Sequence, residues 1–328
     1  MSHHAITIAI AAYNSEAFIT DALESILAQT RRPDQVVIVD DGSKDHTARR
    51  IRAWRRQHPL PHGLRVELIE QENRGLPAAR NQAILRADSD LIALLDADDL
   101  LLPHHLEKLE EAFRIFPDIV FCFGDARLRE NGDLGLRFLE GKRLDIVEFE
   151  EQEGFRILGS GLYESLIEGS YIPTASTLFR RKCWEDIGFF DEEIPFCDDR
   201  DFWLRLTRAG RFAFCPMVLA EKRRHEENMT HSKNLLRLRS SQLKVILKML
   251  NQADAMPLTD HERRATVEAL DHLVNGLLYS ASRRGWRAYW TTGSSLPNNY
   301  KRLMLHPRRW LPAVAAQLGF IRQDEAGG

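Results

Sequence analysis

The sequence predicts an α/β protein with a mostly parallel sheet covered by helices on both faces, followed by a C-terminal helical extension. Three observations predict this class. Short apolar runs rich in Ile and Val alternate with helical patterns in the first half. Polar side chains follow several of these runs directly, as they do at the ligand-binding edge of open α/β sheets. From about residue 233 the pattern is helical throughout.

The first-half elements follow in order. Predicted strands occupy residues 6–12, 35–40, 65–70, 91–96 and 118–123. Apolar residues at helical spacing predict helices within residues 15–29, 76–87 and 104–116. We expect Asn14 or Ser15 to cap the first of these helices. Strands joined by helical crossovers pair in parallel, which gives the predicted sheet.

The second half is less regular. Residues 124–172 are charged and rich in glycine, and we expect an irregular excursion that folds over the site. The stretch that follows predicts a strand, a short helix, a turn at Gly188 and a helix carrying Phe202. We therefore predict a first domain over 1–232, with halves of about 1–123 and 124–232, and a helical region over 233–328.

Composition limits the class of protein. The 328 residues are 44% hydrophobic, which is typical of a globular chain with a large core. The four cysteines show no CxxC spacing, so neither a zinc site nor a disulfide framework is indicated. The N-terminus lacks a signal-peptide pattern, and no apolar run reaches the roughly 18 residues that span a bilayer. These features predict a cytoplasmic protein.

Charge is divided unevenly along the chain. Residues 1–230 carry 30 Lys and Arg against 41 Asp and Glu, whereas residues 231–328 carry 15 against 7. The acidic front argues against nucleic acid as a partner. In the tail, basic residues lie among aromatic ones: Arg283, Arg284, Trp286, Arg287, Tyr289, Trp290, Tyr300, Lys301, Arg302, Arg308, Arg309 and Trp310. This mixture suits peripheral contact at the cytoplasmic face of a membrane, and equally a packed helical appendage or a homodimer interface.

Three carboxylates interrupt an apolar run in the stretch LIALLDADDLLLP. Asp96, Asp98 and Asp99 repel one another by roughly 4 kcal/mol per pair at 4 Å near a protein surface. An oxygen-only D-x-D arrangement suits Mg²⁺ or Mn²⁺ bridging a diphosphate, whereas the alternative is a solvated turn. Neither a P-loop nor GxGxxG follows the first strand, so the phosphate-binding motifs that would indicate a kinase or a dinucleotide dehydrogenase are absent there.

Six segments in order carry a family resemblance. They read AAYN, VVIVDDGSKD, ENRGLPAARN, LLDADD, PTASTLFRRKCWEDIGFFDE and CDDRDFWLRL. Over about residues 5–230 the chain resembles the family 2 glycosyltransferases of the GT-A fold, whose sheet is Rossmann-like. The resemblance implies inverting transfer of a sugar from a nucleoside diphosphate donor, typically a UDP-sugar, to an acceptor hydroxyl. The acceptor would be a surface polysaccharide or lipid-linked glycan, and the cofactor Mn²⁺ or Mg²⁺.

The resemblance also implies donor-binding residues. Tyr13 would pack against the base and Asp40 would hydrogen-bond it, while Arg80 would reach the nucleotide or buttress Asp96. Asp98 would be the direct metal ligand. The full implied set is Ala11, Tyr13, Asp40, Asn73, Arg80, Asp96, Ala97 and Asp98. In the same segments, Gly75 fits a backbone position that needs positive φ.

The implied catalytic base lies in the pair Asp198-Asp199. Alignment on the following aromatic residues makes Asp199 the base, and a helix cap is the alternative for either residue. Asp198, Thr174 and Ser176 are expected on the acceptor side. His225 would complete the metal shell or touch the phosphates. An alternative function, that of a GT-A-fold binding module without catalysis, stays open.

A sugar nucleotidyltransferase is the other alternative. It should carry a glycine-rich and basic phosphate loop after the first strand, and the segment AAYNSEAF offers none.

Overall fold

The computed structural model describes residues 4–130, 132–142, 144–169, 171–226, 228–229, 234–252, 256–294, 296 and 298–301. The chain divides into two compact units, with the division between His225 and Glu226. Residues 302–328 of the predicted helical region lie outside the described residues, and with them Arg302, Arg308, Arg309 and Trp310.

The first half of the first unit alternates strands and helices as predicted. Its elements are β1 Ile6–Ala12, α1 Ile19–Leu27, β2 Gln35–Asp40, α2 Thr47–Gln57, β3 Arg65–Glu70, α3 Leu76–Arg86, β4 Leu91–Asp96, β5 Leu100–Leu101 and α4 His105–Ile115. The four predicted strands from β1 to β4 are confirmed residue for residue. The expected cap of α1 is wrong, because that helix begins at Ile19 after Phe18.

The second half is more regular than predicted. Its elements are β6 Ile119–Glu130, β7 Asp133–Arg137, β8 Phe149–Gln152, β9 Phe155–Leu158, α5 Leu162–Glu168, a 3₁₀ turn Thr174–Ser176, β10 Thr177–Arg180, α6 Cys183–Ile187, α7 Asp198–Leu206 and β11 Arg211–Arg224. The expectation of an irregular excursion is therefore wrong. All residues of β7 and β8 are exposed, and the short alternation of Leu134 and Leu136 in β7 lies in a glycine-rich, charged segment.

One large sheet unites these strands in the order β3-β2-β1-β4-β10-β6-β11-β9-β8, with β5 beside β11 and β7 beside β6. Among the described strands, β1, β2, β3 and β4 pair in parallel, as do β6 and β11. The remaining pairings are antiparallel. The α/β class is confirmed, but the sheet is mixed rather than mostly parallel.

The strand register brings the polar strand ends together. Ala11 of β1 lies opposite Asp96 of β4, and Ala12 lies opposite Asp40 of β2. Parallel strands paired in this register end at a common edge, and the segments that follow β1, β2 and β4 leave the sheet there. The edge predicted for ligand binding is thus formed by these strand ends.

Apolar packing fixes these strands in place. Every residue of β2 is buried, and β4 is buried except for partly exposed Asp96 at its end. Helix α3 packs against β1 and β2, and α4 packs against β6. In α7, the side chains of Phe202 and Trp203 are fully buried, and Phe202 stacks on Phe190 at 4.2 Å. Both ends of the site therefore rest on rigid elements.

The second unit is helical in its described residues. It contains α8 Leu235–Asn251, α9 Asp260–Arg283, α10 Trp286–Ser294 and α11 Asn298–Lys301. Thr259 and Glu262 form a reciprocal capping box at the start of α9. No helix among the described residues combines the length and apolarity needed to cross a bilayer.

Candidate active site

Each carboxylate of the DADD turn has its own partner on a basic side chain. Arg80 Nη2 lies 2.6 Å from Asp96 Oδ1. His225 Nε2 lies 2.9 Å from Asp98 Oδ2. Lys222 Nζ lies 3.6 Å from Asp99 Oδ2. Three partners from two distant parts of the chain thus offset the repulsion that the sequence implies at this turn.

Strand β11 supplies Lys222, and His225 follows its last residue, because of the place of this strand in the sheet. Its residue Glu221 pairs with Leu100 of β5, immediately after the DADD turn. The backbone N–H of Arg223 donates to Asp99 Oδ1 at 2.9 Å. His225 stacks on Phe18 with ring centroids 4.6 Å apart. The end of β11 therefore forms one wall of the carboxylate cluster.

The acidities of the turn residues differ with their surroundings. Burial raises the pKa of Asp99 above its usual value, against the lowering effect of the Lys222 charge. Burial also acts to raise the pKa of Asp98, but the hydrogen bond to His225 and the nearby cationic charges outweigh it, so this pKa is lowered. Asp98 is thus the turn carboxylate held in its anionic form beside solvent.

Arg80 connects the DADD turn to α7. Its side chain is 4% exposed, and its two terminal nitrogens lie 2.6 Å from Asp96 Oδ1 and from Asp198 Oδ2. The guanidinium also lies over the Phe190 ring at 5.6 Å. Of the two roles considered for Arg80, this geometry is that of a buttress for Asp96 and not of a nucleotide contact. Its place in the donor-binding set therefore needs correction.

The two residues of the acidic pair are not equivalent. Asp198 is buried and paired with Arg80, so it cannot line an acceptor subsite as expected. Asp199 is partly exposed in the first turn of α7, and Thr174 donates its hydroxyl to Asp199 Oδ2 at 3.2 Å. The helix cap is neither residue but Cys197. Only Asp199 of this pair combines a fixed position with access to solvent.

Ser176 is also placed differently from the expectation. It is fully buried and donates its hydroxyl to the backbone carbonyl of Asp125 at 3.2 Å. Thr174 is 7% exposed and faces Asp199 through its hydroxyl. Ser176 is therefore a packing residue and cannot contact an acceptor.

The donor edge combines one exposed ring with a tightly bonded turn. Tyr13 is 45% exposed, whereas Asp40 is 4% exposed and accepts a hydrogen bond from the Ser43 N–H at 3.0 Å. Gly42 has φ +71, and a Cβ there would lie 2.8 Å from the backbone nitrogen of Asn73. This contact places exposed Asn73 beside the turn after β2. Ala11 and Ala97 flank this edge at the ends of β1 and β4.

The start of α3 depends on the same turn. Asp41 accepts hydrogen bonds from the N–H groups of Arg74 and Gly75, at 2.9 and 2.8 Å. Gly75 has φ +93, so its predicted positive φ is confirmed. Gly42, Gly75 and Asp41 therefore shape the backbone here, and we expect the residues beside them to contact a ligand.

The ligating side chains at the turn suit a divalent cation that takes its remaining ligands from other molecules. Asp98 and His225 present a carboxylate and an imidazole 2.9 Å apart, with side chains 25% and 21% exposed. Within the described residues, no group of three or more His, Cys, Asp or Glu is arranged to hold a metal. A diphosphate and water would have to supply the other ligands, which is how Mg²⁺ and Mn²⁺ are commonly bound.

Sequence reasoning missed Lys222. The sequence singles out the nearby His225 instead, and the adjacent Arg223 is paired with Asp21 at 2.8 Å. The lysine enters the site because β11 pairs with β5, a non-local contact that no spacing in the sequence reveals. The sequence gives one indication of its role. In EKRRH, Lys222 lies two residues before Arg224, so the two basic side chains share one face of the strand.

Comparison with known proteins decides the family. The model of glycosyl transferase family 2 matches residues 7–182, more than half of the chain. The chain belongs to glycosyl transferase family 2. This family match includes every element from β1 to β10 and ends before α7, so Asp199, Lys222 and His225 lie beyond it.

The curated relatives are distant in sequence. An uncharacterised glycosyltransferase of Rickettsia typhi is 27% identical over 236 residues, which cover 69% of this chain and 66% of that protein. A chondroitin synthase of Escherichia coli is 27% identical over 252 residues, which cover 75% of this chain and 33% of that protein. The chain thus spans less than two thirds of the length of these relatives.

Solved structures show the same fold. S. aureus TarS has a TM-score of 0.60 at 18% identity, covering 96% of this chain and 53% of that chain. The mannosyltransferase PcManGT of Pyrobaculum calidifontis, in complex with GDP-Man and Mn²⁺, has a TM-score of 0.57 at 19% identity, covering 99% and 89%. The GT-A fold expected for a family 2 member is thereby confirmed.

Proposed function

We propose that the chain is a metal-dependent inverting glycosyltransferase that takes a UDP-sugar. The observation that carries this proposal is the Arg80 bridge, because one guanidinium holds both the DADD turn and the acidic pair of α7 at 2.6 Å. The DADD turn, which would bind the sugar donor, and α7, which carries the candidate catalytic base, are thereby kept in one fixed arrangement. Such positioning is a main source of rate enhancement in a displacement between two bound substrates.

The reaction assigns a separate task to each part of the site. Tyr13 and Asp40, at the ends of β1 and β2, bind the nucleobase of the sugar donor. Asp98 and His225 would hold a divalent cation, which supplies positive charge for the leaving diphosphate. Asp199 accepts the proton of the acceptor hydroxyl as its oxygen attacks the anomeric carbon. The bond from that carbon to the diphosphate breaks on the opposite side, which inverts the configuration.

Two features support Asp199 as the base. Its carboxylate is partly exposed, so an acceptor hydroxyl can reach it. The Thr174 hydroxyl fixes one oxygen at 3.2 Å, and the paired guanidinium on the neighbouring Asp198 holds the first turn of α7 in place. A base needs such a fixed position within hydrogen-bond reach of the proton that it removes.

The donor site is tested by thermal unfolding with UDP, GDP, dTDP and CDP, each with and without Mn²⁺. A nucleotide at about 100 times its dissociation constant should stabilise by roughly 2.7 kcal/mol, which is several degrees in Tm for a chain of this size. We expect the largest shift with UDP and Mn²⁺, and its loss in Asp98→Asn. Asp90→Asn is the matched control, since Asp90 is exposed at the opposite end of β4.

The other outcomes separate the alternatives. A larger shift with GDP would change the donor class and leave the reaction class intact. No shift with any nucleotide would favour the binding module, and slow donor hydrolysis by the pure protein would exclude that module. Release of pyrophosphate from a nucleoside triphosphate and a sugar phosphate would identify a nucleotidyltransferase.

The acceptor and the remaining partners stay predictions. By analogy with the family, we propose a surface polysaccharide or lipid-linked glycan as acceptor. In the second unit, Trp286 is 39% exposed and Arg287 is exposed, which suits contact with an anionic membrane. Tyr289 and Tyr300 are buried, which suits a packed appendage. Loss of liposome co-sedimentation in a Trp286→Ser, Arg287→Glu chain would favour the membrane, and sedimentation velocity would test the homodimer.

A further inference from the structure

Lys222 brings an ammonium group with unused hydrogen-bond donors into the candidate site. Its Nζ lies 3.6 Å from Asp99 Oδ2, which is an ion-pair distance but too long for a hydrogen bond. An ammonium carries three N–H donors, and that of Lys222 makes no hydrogen bond to the described part of the protein. The side chain is 26% exposed. These donors are therefore available to a ligand.

The partner of Lys222 is equally unusual. Asp99 is 1% exposed, and its Oδ2 accepts no hydrogen bond from the described residues. Its other oxygen is held by the Arg223 N–H at 2.9 Å. A buried carboxylate oxygen without a donor is costly unless charge nearby compensates for it. The Lys222 ammonium supplies that charge without being fixed by a hydrogen bond.

Carboxylates on both sides of the site also act electrostatically on the ammonium. Asp99 raises the pKa of Lys222 most, and the charges of Asp96, Asp98 and Asp199 raise it further. Lys222 is thus charged and lies within electrostatic reach of the metal-binding turn and of the base. The other two basic side chains are less free to change partner, since Arg80 is 4% exposed and His225 Nε2 is bonded to Asp98.

We propose that Lys222 is a donor-binding residue whose ammonium offsets the DADD carboxylates until a nucleoside diphosphate arrives. Without the donor, this positive charge repels a free divalent cation from Asp98. With the donor, the unused N–H groups donate to the diphosphate oxygens, as a point charge on a flexible stem can do. The diphosphate then neutralises the ammonium, so that metal and donor enter together. This inference rests on the proposed function of the site.

The first test measures Mn²⁺ binding without nucleotide, by electron paramagnetic resonance titration. Loss of the ammonium also changes the protonation of Asp99, so the comparison uses Asp99→Asn with and without Lys222→Met. Position 99 is then neutral in both proteins. We expect the double variant to bind Mn²⁺ at least about tenfold more tightly, because a like charge near the ion is gone. Equal Mn²⁺ affinities would overturn the proposal.

The second test measures UDP binding in the presence of a chelator, by calorimetry. We expect Lys222→Met to bind UDP at least about tenfold more weakly than wild type, since charged donors to phosphate are the strong kind. Uridine should bind both proteins equally, because it lacks the phosphates. Lys182→Met is the matched control: Lys182 is exposed beyond Arg180, which pairs with Leu91 at the far end of β4.

The outcomes distinguish this inference from the proposed function. A wild-type chain that binds no UDP, with or without Mn²⁺, contradicts both. Equal UDP affinities of wild type and Lys222→Met in the chelator contradict the role of Lys222 alone, because the donor site is then present without it.

Discussion

Arg80 Nη1 and Asp198 Oδ2 lie 2.6 Å apart, and both side chains are 4% exposed. They join α3 to the first turn of α7 across 118 residues of sequence. The same guanidinium also holds Asp96. The buried guanidinium stabilises both carboxylates. Without it, the charge of the buried Asp198 would remain inside the protein without compensation, at a large cost in free energy.

Replacement of Arg80 should therefore destabilise the first unit strongly. We expect Arg80→Met to lower the free energy of unfolding by about 3 to 5 kcal/mol, the usual cost of stranding a buried charge. Arg80→Lys should recover part of this loss, because a lysine cannot serve two carboxylates in the fork geometry of arginine. Urea unfolding measures both changes.

The control for this prediction is Arg86→Met. Arg86 and its partner Glu67 have side chains 54% and 33% exposed, and an exposed pair contributes about 0 to 1 kcal/mol. An Arg80→Met protein no less stable than this control would show that the bridge is dispensable.

Asp199→Asn should separate chemistry from binding. We expect the transfer rate to fall by about 10² to 10⁴, the usual contribution of a general base, while the affinity for UDP with Mn²⁺ stays at the wild-type value. Single-turnover transfer and calorimetry report the two quantities. Near wild-type transfer would mean that another group removes the acceptor proton.

The hydroxyls of Thr174 and Ser176 should have different effects although they are two residues apart. We expect Thr174→Val to lower kcat by about fivefold to tenfold, the rate equivalent of about 1 kcal/mol, because a hydrogen bond to the base is lost. Ser176→Ala should leave acceptor KM and kcat unchanged and lower stability by about 1 kcal/mol. A raised acceptor KM in Ser176→Ala would return this residue to the acceptor side.

His105 should make the protein less stable in mild acid. This side chain is fully buried, its Nδ1 donates to the Leu219 carbonyl at 3.2 Å, and its Nε2 has no partner among the described residues. Burial lowers its pKa from 6.5 to about 4. Between these values the unfolded chain binds a proton that the folded chain does not, so stability falls as the pH is lowered.

The size of this effect follows from the same shift. We expect His105 to account for a loss of roughly 3 kcal/mol between pH 6.5 and 4, with full stability above that range. His105→Asn keeps a donor for the carbonyl but cannot titrate. Urea unfolding over this range should give a shallower pH dependence for the variant, and identical slopes would contradict the assignment.

The predictable part of the molecule is the part whose signals are local. Strands β1, β2 and β4 are predictable residue for residue because each is a buried apolar run, and β3 because its apolar residues stand between charged ones, although most of it is only partly buried. Gly75 was found because a backbone need for positive φ leaves few other choices of residue. The DADD turn and Asp199 were singled out in the same way, although their chemistry stays a prediction.

The unpredicted part depends on contacts between distant segments. The strands β7 and β8 are short and exposed throughout, and Ser176 resembles a binding residue until its burial is known. Arg80 reads equally well as a phosphate ligand or as a buttress. Only the tertiary contact with Asp198 distinguishes the two, and no local pattern encodes it.

The late position of β11 has a consequence for biosynthesis. His225 follows Asp98 by 127 residues, and Lys222 emerges only slightly earlier. At about 5 to 20 residues per second, the ribosome takes on the order of 6 to 25 seconds to make the segment between them. During that interval the nascent acidic turn lacks two of its three basic partners, and β6 lacks the neighbour that covers its edge. The catalytic unit can close only after nearly all of its own residues have left the ribosome.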